Sequence, residues 1–114
     1  MTNMICLVGR LVANPTLEET ESEHQYSKIT IAVPREYKNM EGIYEIDFID
    51  VVLHNIIASR TVEFCTKGDL VGIKGRLQTN IYENENGEKK KEMIVIADKL
   101  TFLSSKKIEV DEDE

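Results

Sequence analysis

Lys74, Arg76, Gln78, Asn80 and Tyr82 recur at alternate positions and set two cations, two amides and a ring in one row. Alternate side chains of a strand share a face. Such a row can neutralise phosphates, hydrogen-bond to base edges and offer a ring to a base, although an ordinary solvated strand face has much the same polar character. A second row, Phe48, Asp50, Val52 and His54, is harder to read as plain solvated surface. An aromatic, an aliphatic and an imidazole together expose surface that water disfavours. Bases stack on such rings for about 1–3 kcal/mol each with little regard to sequence, because every base has a π-face. Contact with another subunit is the other use for these rings.

Two hairpin segments extend the same chemistry. The first carries Arg35, Tyr37 and Lys38 in REYKNMEG. The second, YENENGEKKK over 82–91, carries Lys89, Lys90 and Lys91, diluted by Glu83, Glu85 and Glu88. Cations interleaved with Tyr37 and Tyr82 can hold phosphates while the rings hold bases.

Catalysis finds no support. Only His24 and His54 are available as imidazoles, and no Gly-rich phosphate loop, GxSxG elbow or HExxH helix occurs. Asp47 and Asp50 lie three apart on a strand, so they face opposite ways and make a poor carboxylate pair. Cys6 and Cys65 lack metal-ligand spacing and read as buried free thiols. No enzyme activity, metal or cofactor is expected.

The elements that position these rows read as strands. Residues 4–12, 26–34, 44–54, 69–82 and 92–103 are apolar or alternating, with turn signals at Asn14-Pro15 and Gly42. Parity places Ile29, Ile31 and Val33, then Ile49, Val51 and Leu53, then Val71, Ile73, Gly75 and Leu77 on core faces. Between the third and fourth strands Asn55 can cap a helix running to about Lys67 and stopped by Gly68. Ala58, Val62 and Cys65 fall at helical spacing, as do Ile57 and Phe64. Three strands, a helix and two strands is the order of an all-β, five-stranded OB-fold barrel with one helix between strands 3 and 4.

At 114 residues the chain has room for one domain, read as 1–105, followed by an acidic tail, 106–114. The net charge of −7 is unusual for a nucleic-acid binder, but it is concentrated. Asp111, Glu112, Asp113 and Glu114 form one cluster, with Glu109 before them; Glu18, Glu19, Glu21 and Glu23 form another. Positions 24–107 hold 13 Lys or Arg against 12 Asp or Glu, so a local basic groove is compatible with the total. No apolar run has the length of a membrane span, and a cytoplasmic setting, associated with the nucleoid, is expected.

The first strand is apolar on both faces. Ile5, Leu7 and Leu11 can fill the core, yet Met4, Cys6 and Val8 oppose them. A strand covered on both sides in so small a protein points to a second subunit.

Taken together, LVGRL, ITIAVPREYKN, YEIDFIDVVL and KGDLVGIKGRLQTNIYENENG resemble the bacterial single-stranded DNA-binding protein family, in its short Gram-positive or phage-type form, over about residues 1–104. The resemblance implies an OB-fold homotetramer that wraps single-stranded DNA in replication, recombination or repair. It assigns base stacking to Tyr37, Phe48 and Tyr82, the rings that parity sets outside the core. His54 stands where the family usually has Phe or Trp, and the chain has no Trp. A protonated imidazole there would attract phosphate, so affinity is expected to rise as pH falls toward 6. The tail sequence IEVDEDE lacks the hydrophobic pair that ends longer members' tips, which puts tail-borne recruitment of replication or repair proteins in doubt. Two rival readings are an OB-fold protein-interaction module of the primosome-accessory type with weak nucleic-acid binding, and RNA binding, since stacking platforms accept either backbone.

Overall fold

The computed structural model describes residues 1–105; the segment 106–114, read above as an acidic tail, lies outside the described residues. Seven elements follow in order: β1 (Ile5–Leu11), β2 (Glu18–Glu19), β3 (Gln25–Lys38), β4 (Tyr44–His54), α1 (Asn55–Phe64), β5 (Leu70–Glu83) and β6 (Lys89–Ser104). The sheet runs β1-β5-β6-β4-β3-β2, and β1 also pairs with β3, through Arg10–Ala32 and Leu11–Ile31. That pairing closes a five-stranded barrel from β1, β3, β4, β5 and β6. Counted in barrel strands, the helix lies between the third and fourth, as expected. The short β2 ribbon on the flank of β3 shifts the numbering. No helix among the described residues is long and apolar enough to cross a membrane.

Alternation fills the barrel. Leu11, Ile29, Ile31, Val51, Leu53, Val71, Ile73 and Ala97 are buried in one cluster, joined from the helix side by Ala58 and Cys65. Leu7, Val33, Ile49, Ile57, Val95 and Leu100 pack around it. The helix lies against β3, β4 and β6.

Both long hairpins use the same turn. Asn39 Oδ1 accepts from the backbone N–H groups of Glu41 and Ile43 at 2.8 and 3.0 Å, and Asn84 Oδ1 accepts from Asn86 and Glu88 at 3.0 and 2.9 Å. Three residues after each Asn comes a glycine at positive φ, Gly42 at 82° and Gly87 at 79°, where a Cβ would be strained. The shared Asn-x-x-Gly pattern therefore projects two arms of similar design from the barrel.

Several expectations are corrected. The helix ends at Phe64, not near Lys67, and His54 rather than Asn55 occupies its N-cap position, with no side-chain cap. Cys65 turns extended and enters the core, while Gly68 serves the turn before β5, donating its N–H to Leu11 O at 2.8 Å. Phe64, at helical spacing from Ile57, is exposed and not part of the core. Leu77 is 37% exposed, because β1 pairs with β5 only as far as Ile5–Gly75 and leaves Leu77 beyond the closed barrel. There the Asn3 side chain replaces a strand: its amide donates to Leu77 O at 2.7 Å, and its Oδ1 accepts from Leu77 N–H at 2.9 Å. Cys6 is exposed on the outer face of β1, so only Cys65 is a buried thiol, and burial pushes its pKa up.

Candidate nucleic-acid interface

The antiparallel β3–β4 register fixes one outer face row by row: Tyr26 beside His54, Lys28 beside Val52, Thr30 beside Asp50, Ala32 beside Phe48, Pro34 beside Ile46. Partners directly opposite share a face. Phe48 stands against alanine, whose methyl covers little of the ring, and is 66% exposed. Farther along the arm Tyr44 and Ile46 are also exposed, and Lys38 Nζ lies 5.6 Å from the Tyr44 ring centroid, a cation–π distance. Reading β3 only for its core face overlooked Tyr26, Lys28 and Thr30, although the same alternation displays them.

Arg35, Tyr37 and Lys38 belong to β3 itself. The strand irregularity between Pro34 and Lys38 sets Arg35, Glu36 and Tyr37 opposite the single Glu45. Tyr37 is 68% exposed. Arg35 pairs with Glu45, and with Asp47 at 3.0 Å, on the opposite parity from Phe48. Its hydrogen bond to Asp47 raises its own pKa further and holds the Asp47 carboxyl below the usual range. Arg35 thus meets solvent as a locally neutralised group.

On β5 and β6 the register sets Arg76, Gln78, Asn80 and Tyr82 opposite Ile96, Ile94, Glu92 and Lys90. Lys89, Lys90 and Lys91 are strand residues of β6, not loop residues, and all are exposed. Arg76 pairs with Asp98 at 3.0 Å, Lys90 lies 4.0 Å from Glu88, and Gln78 donates to Asn80 at 3.1 Å. Lys74 sits around the barrel beside Cys6 and Lys99, sharing the face of Met4 and Val8 rather than that of Phe48.

His54 joins the two halves. With Arg76, Ile96 and Asp98 it lines a shallow hollow, and its Nδ1 is 2.9 Å from His24 Nε2. One ring donates in that bond and the other accepts. Burial, then His24 and Arg76, lower the His54 pKa below its ordinary 6.5, so protonation is deferred below the range expected from the sequence. Below about pH 6.5 the unfolded chain takes up a proton that the folded chain resists. Stability contributed by this group is therefore present above that pH and lost on acidification. Thermal melts from pH 7.5 to 5.5 should show a falling midpoint, with a shallower fall in His54→Gln; equal slopes would contradict the assignment.

The arrangement thus presents exposed rings at Tyr37, Phe48 and Tyr82, cations at Lys28, Lys38 and Lys89 to Lys91, and a neutral imidazole bridge. The single-strand binding protein family matches over residues 2–103. This chain belongs to that family. Among the relatives is single-stranded DNA-binding protein B of Bacillus subtilis (strain 168), 40% identical over 106 residues that cover 93% of this chain and 94% of the relative. Single-stranded DNA-binding protein 1 of Staphylococcus aureus (strain Mu50 / ATCC 700699) is 40% identical over 93% of this chain and 68% of its own length. Single-stranded DNA-binding protein 1 of Lactococcus lactis subsp. lactis (strain IL1403) is 40% identical over 94% and 71%. The family match covers both arms and every side chain assigned above to the interface. Members of this family carry the name of a binding protein, in keeping with a surface of rings and cations.

Proposed function

We propose that this protein binds single-stranded DNA with broad sequence tolerance and protects it during replication, recombination or repair in the cytoplasm. The observation that carries the reading is the exposed Phe48 ring on the outer β3–β4 face, with cationic arms on either side. Phe48, Tyr37 and Tyr82 stack bases, and His54 contributes a weaker platform. Lys38, Lys89, Lys90 and Lys91 neutralise phosphates; Arg76 and Arg35 contribute by exchanging a carboxylate for a phosphate. Lys74, on the face of Met4 and Val8, stands apart from the Phe48 face. The reaction is binding alone, without a cofactor.

The outer face of β1, where Met4 and Val8 are more than half exposed around Cys6, is covered by a second copy in a homotetramer. The protein-interaction reading draws on the neutralised arginines, and the same experiment separates it. Labelled oligo-dT should raise its anisotropy on titration with the protein, less so as salt rises, because neutralised phosphates release counterions. Duplex should compete poorly, since its bases are already stacked within the helix. Competition by oligo-U reports tolerance of an RNA backbone. Absence of binding at micromolar protein would transfer the assignment to the interaction module.

A further inference from the structure

β4 and β6 run parallel but share only two register pairs, Val51–Val95 and Val52–Ile96. Toward lower numbers they part into the two arms, one bearing Phe48 and the other Tyr82. At the fork is a hollow of about 80 Å³ lined by Lys28, Asp50, Val52, Glu92, Met93 and Ile94. A nucleic-acid strand running from the Phe48 ring to the β5–β6 arm crosses it.

Asp50 lies two residues from Phe48 on the same face, about 7 Å along the strand, within the span of a base stacked on that ring. The Thr30 hydroxyl donates to Asp50 Oδ1 at 2.6 Å and fixes the carboxylate. Unlike Asp47 and Asp98, Asp50 is in no ion pair among the described residues. An ionised carboxylate accepts hydrogen bonds only, so its remaining lone pairs repel phosphate and call for an N–H donor. Cytosine, adenine and guanine offer exocyclic amino groups; uracil and thymine present a carbonyl oxygen at the corresponding 4-position, and their one ring donor, N3–H, is flanked on both sides by carbonyl oxygens that repel a carboxylate. Val52 and Ile94 make part of the hollow apolar, a surface on which the flat of a base can rest while its edge faces Asp50.

We propose that Asp50 is a specificity-determining residue that accepts a hydrogen bond from the amino group of a base lodged at the fork, giving a preference for amino-bearing bases within an otherwise tolerant interface. This rests on the single-strand reading above. The test compares oligo-dC with oligo-dU of equal length at pH 8, a pair that differs at the 4-position and the adjoining ring nitrogen and lacks the thymine methyl. Affinities are read by anisotropy for the full chain and for Asp50→Ala, an exposed position whose folding is checked by thermal melting. Removal of a negative charge should tighten both oligonucleotides, while the dC-to-dU affinity ratio falls roughly three- to tenfold. A common gain with an unchanged ratio would overturn the proposal and leave Asp50 as a repulsive charge only. If neither oligonucleotide binds the unaltered protein, the single-strand reading itself fails and takes the base preference with it.

Discussion

Phe48→Ala should weaken oligo-dT binding by about 1–3 kcal/mol, roughly 5- to 150-fold, while leaving the thermal midpoint nearly unchanged. The two halves of that expectation have one cause. The ring is 66% exposed and stands opposite Ala32, so its removal opens no cavity in the Ile31, Val51 and Leu53 core on the other face. What is lost is a platform that only a ligand covers. Tyr82→Ala should act in the same direction, since Tyr82 is half exposed at the end of the second arm. Anisotropy titrations beside thermal melts check both. Unchanged affinity accompanied by a shift to a smaller species in sedimentation would assign the ring to a subunit contact instead.

Gly75→Ala is the second large effect, and it acts on stability. Gly75 faces inward on β5, between Ile5 of β1 and Ala97 of β6. A Cβ there would lie 2.0 Å from Ile96 O, 2.9 Å from its carbonyl carbon and 3.0 Å from Ala97 Cα. All three atoms are backbone, so no side chain can swing aside. Relief requires β6 to move at the register shift where Asp98 is the extra residue and where Ile96 and Ala97 are buried. Such displacement is expected to cost about 3 kcal/mol or more, a large part of the stability of a domain this size. Urea denaturation measures it; a loss under about 1 kcal/mol would show that the strand pair yields more easily than the contacts imply.

Much of this could be read from alternation alone. Val51, Leu53, Val71 and Ile73 were legible as core because a strand buried on one face repeats every second residue, and the same arithmetic set Phe48 outside. Alternation gives a face but not the point where a barrel ends. That is why Leu77 reads as core although β1 stops short of it. Nor does it give pairing: only the strand register shows Arg35 beside Glu45 and Asp47, and Arg76 diagonal to Asp98. The helix end was hidden because Cys65 at helical spacing reads as one more turn, whereas it reaches the core from extended backbone. The His24–His54 contact joins residues thirty apart and has no local signature.

The most direct test of the central claim, that exposed rings stack on the bases of a single strand, is tyrosine fluorescence. The chain has no Trp and four Tyr, of which Tyr37 and Tyr82 are assigned to the interface. Adding oligo-dT should quench the emission to a saturating plateau, duplex should leave it nearly unchanged, and Tyr82→Phe should quench less. Emission indifferent to oligo-dT, with the strand nonetheless bound, would contradict stacking and reduce the interface to its lysines.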